Sequence, residues 1–325
     1  MAAYFHRLAG GKRRLHRRPE ESVGLNVFKK IAIFGVGLIG GSFALALKKA
    51  GVVQHVVGVG RTAATLARAR ELGIVDTITT SVAEAVQGAE LVLVAAPVAQ
   101  TETILATIAL HLQPGTVVSD AGSTKSDVVT AARKVLGDKI AQFVPAHPIA
   151  GRELNGPDAA LADLYVGKKV VLTPLPENAA ADVERVAQAW QQCGALIHQL
   201  TPQDHDSVFA SVSHLPHLLA YALVDDIAAK PHADVLFQYA ASGFRDFTRI
   251  AGSSPEMWRD ISLANQPALL NELDAYITQL TKMRALLAAG DGKSLEQIYA
   301  NAQQARHAWM RAIEAAESPS KQGGD

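Results

Sequence analysis

From residue 30 onward the chain alternates short β-branched runs with stretches of helical periodicity. Residues 31–34 form an apolar run, and a helical segment follows to Gly51. Residues 55–59 read as the next strand and 62–72 as a helix. The run LVLVA at 91–95 has the continuous apolar character of a buried strand, followed by a helix over 101–112. Residues 116–119 and 142–144 read as further strands, with a helix over 125–135 between them. Strands alternating with helices predict a parallel sheet covered on both faces. Residues 169–172 and 195–200, with a helix near 177–193, are expected to extend that sheet. After Thr201 the strand signals almost vanish. Thr201-Pro202 has the form of a helix start, Thr at the N-cap and Pro at the first helical position. Pro216 is expected to kink a later helix. The plan is a basic, disordered tail over 1–29, an α/β domain over 30–200, an all-helical domain over 201–316 and a disordered tail over 317–325.

Composition narrows the class. The 325 residues are 49% hydrophobic and 19% charged, which fits a folded globular chain of about two domains. The formal charge is zero but unevenly spread: residues 1–30 carry eight Lys or Arg against Glu20 and Glu21. The basic start is read as a disordered arm, or as residues upstream of the true start, ahead of a mitochondrial transit peptide. Beyond it nothing resembles a nucleic-acid footprint. The single Cys193 excludes an intrachain disulfide and clusters of several Cys around zinc, and it fits a reducing, cytoplasmic setting. There is no run of 18 consecutive apolar residues, so no membrane span is expected.

The first chemistry-bearing motif is IAIFGVGLIGGS. Gly35, Gly37 and Gly40 have the G-x-G-x-x-G spacing directly after a strand and at the opening of a helix, with Leu38 and Ile39 completing the loop. The first glycine allows the tight turn, the second lets a pyrophosphate approach the backbone, and the third lets helix and strand pack closely. This makes residues 30–200 a Rossmann-type, doubly wound dinucleotide-binding domain. An NAD reader places Asp or Glu at the end of the second strand to bond the ribose hydroxyls. Here that place reads Val59, Gly60, Arg61, Thr62. No carboxylate stands there to repel a 2′-phosphate, and Arg61 and Thr62 can bind one, so NADP is expected ahead of NAD.

In doubly wound sheets ligands sit beyond the carboxyl ends of the strands. Three features fall there: Ala95-Ala96-Pro97, the stretch DAGSTK at 120–125, and Ala146-His147-Pro148. Ala96, Pro97 and Ser123 are expected against the cofactor. A lone histidine is more often a satisfied structural residue, but His147 falls at the sheet edge that would hold a nicotinamide, so a catalytic role is expected. Ser123 also has the alternative of capping the helix that follows.

Taken together, GVGLIGGS (35–42), DAGSTK (120–125), FVPAHPIAGRELNG (143–156), SVSHLPHLLAYAL (211–223) and ASGFRDFTRIAGSSPEMWRDI (241–261) resemble the prephenate and arogenate (cyclohexadienyl) dehydrogenases of tyrosine biosynthesis, in the family's order. The resemblance implies oxidation of a cyclohexadiene at its C4 carbinol, with loss of the ring carboxylate as carbon dioxide. It makes His147 the base that takes the C4 hydroxyl proton, and Ser123 the serine that orients it and touches the nicotinamide. It places a substrate carboxylate on Arg249, and substrate near His217, Ser213, His214 and Trp258. Arg245, four residues before Arg249, would share its helix face. Glu153 would gate the pocket with Arg249. A homodimer formed through the helical domain is implied. No sequence is left for a fused chorismate mutase or a separate regulatory domain, so any tyrosine inhibition would act at the active site. Prephenate is favoured over arogenate, with dual use open.

Metal is not expected: His214 and His217 lie three apart, and His205 is nine residues before the first of them. One rival is a β-hydroxyacid-type dehydrogenase, but that group carries a catalytic lysine where this chain has no lysine between Leu200 and Ala229. The other is a non-catalytic NADP-binding protein, which would need the glycine loop but not His147, Ser123 and Arg249 together.

Overall fold

A computed structural model describes residues 27–152 and 154–317; the basic arm to residue 26, Glu153 and the tail from residue 318 lie outside the described residues. The chain forms two compact units that meet in sequence between His205 and Asp206.

The first unit opens with β1 (Ile31–Phe34), α1 (Leu38–Lys49), β2 (Val56–Val59), α2 (Ala63–Glu71), β3 (Thr77–Thr79), α3 (Val82–Val86), β4 (Leu91–Val94), α4 (Thr101–Ala109), β5 (Val117–Asp120), α5 (Ser126–Leu136) and β6 (Phe143–Val144). These strands form one parallel sheet in the order β3-β2-β1-β4-β5-β6. That is the strand order of the dinucleotide-binding doubly wound fold. β1, β2, β4 and β5 are buried throughout, which is why each reads as a continuous apolar run. Helices cover both faces over two cores. One gathers Phe43, Leu47, Tyr165 and Trp190; the other gathers Leu105, Ile108, Val128 and Phe143.

The next strands depart from the expectation. Residues 146–148 form β7 (Ala146–Pro148), which pairs with β8 (Lys169–Leu172) and not with the main sheet. After α6 (Ala180–Gln192), β9 (Leu196–Gln199) joins β8. The result is a separate three-stranded sheet, β7-β8-β9, rather than an extension of the first. The cause is Pro145. It has no N–H for a ladder, and the chain changes sheets there: Val144 pairs with β5 while Ala146 pairs with Leu172. Pro148 is tolerated because β7 is an edge strand.

The rest of the described chain is helical, its first helix beginning within the first unit. α7 (Pro202–Phe209) runs into a π turn (Ala210–His214) and then α8 (Leu215–Ala228). The expected kink at Pro216 takes the form of this wider turn. A proline ring clashes with the carbonyl four residues back and cannot donate to it, and widening the turn relieves both. α9 (Ala233–Gln238), α10 (Ser242–Thr248), a 3₁₀ turn (Arg249–Gly252), α11 (Pro255–Ala264), α12 (Gln266–Ala288) and α13 (Gly292–Glu317) complete it. Among the described residues one helical stretch, Pro202–Ala228, is 27 residues long and reaches a mean hydropathy of 1.4, enough by length and composition alone to cross a membrane, a test that a core helix also passes. Scattered polar residues break the apolar run without lowering its average below that level.

Candidate active site

The order of the main sheet reverses between β1 and β4, and the loops after these two strands meet. Gly35 has φ +97°, and a Cβ there would strike the Ala95 carbonyl. A Cβ on Gly40 would collide with the Gly35 carbonyl and the Ile33 side chain. These two glycines are required by packing. Gly37 differs: it is the N-cap of α1, and a Cβ on it would point into open space. No acidic residue lies in the first turn of α1. An open approach, unobstructed N–H donors and the positive end of a helix suit a pyrophosphate. Leu38 and Ile39 form the start of that helix, and the Ile39 carbonyl accepts from the Tyr165 hydroxyl at 2.6 Å, tying the loop to the core.

At the end of β2 the expected residues stand at the surface. Arg61 and Thr62 are exposed, and Thr62 is the N-cap of α2 without using its hydroxyl to cap. Ala96 is half-buried and Pro97 exposed after β4. The stretch 120–125 follows β5 and packs close to this loop, since a Cβ on Gly122 would meet Val98 at 3.2 Å. These residues fit a nicotinamide dinucleotide.

Ser123 is half-buried in this loop. Its alternative role as a cap is not realised: the N-cap of α5 is Lys125, and no side chain caps it. Asp120 and Lys125, which the sequence left unremarked, form a fully buried ion pair. Asp120 accepts from the Gly122 N–H at 2.8 Å and the Ala146 N–H at 3.1 Å. Lys125 donates to the Ala146 carbonyl at 2.9 Å. The backbone on either side of Ala146 is therefore clamped by one charge pair, and the next residue is His147.

His147 lies within β7, opposite Val171, and not in a loop after a strand as expected. It is 9% exposed. Its Nδ1 stands 2.8 Å from Nε2 of His205, which is fully buried in the first turns of α7. Thr201 caps that helix as expected, its hydroxyl accepting from the Asp204 N–H at 3.1 Å.

In the second unit His217 stacks on Trp258, with ring centroids 3.5 Å apart and planes 18° from parallel. Its Nδ1 donates to the Ser213 carbonyl at 2.8 Å. Burial pushes the His217 pKa down, the Arg249 cation adds to this, and the bond to Ser213 opposes it. Among these residues the structure therefore gathers His217, Trp258, Arg249 and Ser213. His214 is buried and held by the Asn265 side-chain amide at 3.0 Å. Arg245 departs from expectation: α10 ends at Thr248 and Arg249 opens a 3₁₀ turn, so the two do not share one α-helical face. Arg245 is largely exposed, with Asp246 at 3.9 Å. Glu153 lies outside the described residues.

Known proteins carry the same pattern. The family described as prephenate dehydrogenase, nucleotide-binding domain, matches residues 43–199, and its dimerization domain matches residues 201–301. A cyclohexadienyl dehydrogenase of Zymomonas mobilis is 38% identical over 284 residues, spanning 87% of this chain and 96% of that one. A prephenate dehydrogenase of Bacillus subtilis is 35% identical, spanning 85% of this chain and 75% of that one. The crystal structure of prephenate dehydrogenase from A. aeolicus, in complex with hydroxyphenyl propionate and NAD+, superposes with a TM-score of 0.81 at 35% identity, over 86% of this chain and 97% of that one.

Proposed function

This chain belongs to the prephenate dehydrogenase family, and we propose from that premise that it converts prephenate to 4-hydroxyphenylpyruvate and carbon dioxide, with NADP as the preferred oxidant and NAD as the lesser one. A nicotinamide dinucleotide, when bound, would supply the acceptor for the hydride that leaves ring C4. Gly35, Gly37, Leu38, Ile39 and Gly40 would hold its pyrophosphate, Ala96, Pro97 and Ser123 would line its ring end, and Arg61 with Thr62 would receive the 2′-phosphate.

As C4 is oxidised its hydroxyl becomes strongly acidic, and His147 takes the proton. A neutral imidazole is suited to this near pH 7 and contributes about 10²–10⁴ in rate. Loss of the ring carboxylate as carbon dioxide leaves its bonding electrons to aromatise the ring, and the proton returns from His147 to the ring oxygen. The observation that carries this reading is the buried His147 on an edge strand, its backbone clamped to the 120–125 loop by Asp120 and Lys125. Arg249 binds a substrate carboxylate, a pairing that orients as well as attracts. His217, Trp258, Ser213 and His214 support that side of the substrate, with Arg245 and Glu153 as lesser contributors.

The helical unit pairs with a second copy of the chain. Its longest described apolar faces are uncovered: α12 buries Leu269 alone, and Leu263, Leu287 and Trp309 are each more than half exposed. Dual use of prephenate and arogenate is the second reading, favoured by the name of the Zymomonas relative. The test is initial rates of reduced-cofactor formation with prephenate and arogenate, each with NAD and NADP. The highest kcat/KM is expected for prephenate with NADP. Silence in all four pairs would remove the reading.

A further inference from the structure

His147 is half of a pair. Its ring and that of His205 lie with centroids 5.0 Å apart and planes inclined at 61°, both buried, and Nδ1 of one is 2.8 Å from Nε2 of the other. Two neutral imidazoles in this relation share one hydrogen, and it belongs to one ring or the other. If His205 Nε2 carries it, the remaining proton of neutral His147 sits on Nε2, and the ring has no lone pair to act as a base. If His147 Nδ1 carries it, Nε2 holds the lone pair. Only the second arrangement supports proton abstraction by His147 from a substrate.

We propose that His205 is a positioning residue of the reaction: its Nε2 accepts from His147 Nδ1–H, fixing the tautomer that makes His147 Nε2 the base. This rests on the reading of His147 as the base. The two rings are carried by rigid elements. His147 is held through β7 and the Asp120–Lys125 clamp on Ala146. His205 is held in the first turns of α7, its N–H donating to the Thr201 carbonyl at 2.9 Å below a capped start. When His147 takes a proton, the shared bond becomes charge-assisted and about twice as strong. The stabilisation therefore grows as the reaction proceeds. A carboxylate in the place of His205 would fix the same tautomer but would favour the imidazolium before substrate arrives. A neutral acceptor orients the ring and leaves it ready as a base.

The test uses the full-length protein and two variants. His205→Leu removes the acceptor. His205→Gln retains an amide oxygen near the position of Nε2 but is a poor carrier of a proton. The first readout is the ¹⁵N NMR signature of the His147 ring, assigned with His147→Asn, which reports the tautomer without turnover. The second is kcat with prephenate and NADP, beside NADP affinity by fluorescence titration. The expected result is an Nδ1–H tautomer in the parent and in His205→Gln. In His205→Leu, kcat should fall about 10²-fold, the lower end of what a general base supplies, with NADP affinity unchanged. His205→Gln should stay within a few-fold of the parent. An Nε2–H tautomer in the parent overturns the proposal whether or not the leucine variant folds. So does a glutamine variant as slow as the leucine one, or a leucine variant with parental kcat. If instead His147→Asn turns over normally, the reading of the base has failed, not the pairing with His205.

Discussion

Lys125→Met is the perturbation that exposes how the site is braced. The methionine fills nearly the same volume but removes the ammonium group. Asp120 then keeps only the Gly122 and Ala146 N–H donors, and the Ala146 carbonyl loses its partner. Removing one member of a fully buried pair costs about 3–5 kcal/mol, because the other charge is left uncompensated. For a unit of this size that is a fall in Tm of roughly 6–20 °C, at about 2–4 °C per kcal/mol. Neutralising both partners, as Asp120→Asn with Lys125→Met, should recover a substantial part, since no charge is stranded. Activity should fall too. The clamp sets the backbone one residue before His147, and a misplacement of about 1 Å at a catalytic group costs on the order of 10²-fold. Thermal unfolding by circular dichroism and kcat with prephenate and NADP measure the two effects. A Lys125→Met protein within about 1 kcal/mol of the parent, with parental kcat, would refute the clamp.

Other outcomes follow from the same geometry. Arg61→Ala should lower kcat/KM with NADP by roughly 10–100-fold, the worth of a charge-assisted bond, and leave NAD within a few-fold; an equal loss with both cofactors contradicts the assignment. Burial pushes the Cys193 thiol well above its usual range, and its Sγ lies 3.3 Å from the Ala189 carbonyl; its labelling by a thiol reagent should therefore track unfolding rather than proceed in the native state. His217 has its pKa lowered from 6.5 by burial, so the folded protein favours the neutral ring. That contribution to stability is fully present above the unfolded value and lost as pH falls through it and then below the folded value. Tm should drop as the pH falls below the ordinary imidazole range, and the drop should be smaller in His217→Gln.

The legible parts of this fold are those where burial leaves a sequence signature. β1, β2, β4 and β5 are covered on both faces and read as unbroken apolar runs. β3 passed unseen because its three residues are partly exposed and two are threonine. β7 is hidden by prolines at 145 and 148: a strand that changes sheets shows no alternation of its own, and the sequence alone places His147 in a loop after a strand. At the site, glycine spacing pointed to the cofactor loop, and a resemblance pointed to His147, Ser123 and Arg249. Asp120 and Lys125 stand at the two ends of DAGSTK, and five residues apart in a polar stretch they carry no sign of burial. By spacing alone His205 qualifies only as a metal ligand. Its partner is 58 residues away, and such a distance is closed by the tertiary fold alone.

The central claim is that His147 removes the proton whose loss accompanies oxidation at ring C4. His147→Asn, assayed with saturating prephenate and NADP alongside a direct titration of NADP, tests it most directly. The account predicts a kcat lowered by about 10²–10⁴-fold with cofactor affinity unchanged. Turnover at the parental rate, with the cofactor still bound, would contradict it and leave the buried histidine pair a structural feature of the first unit.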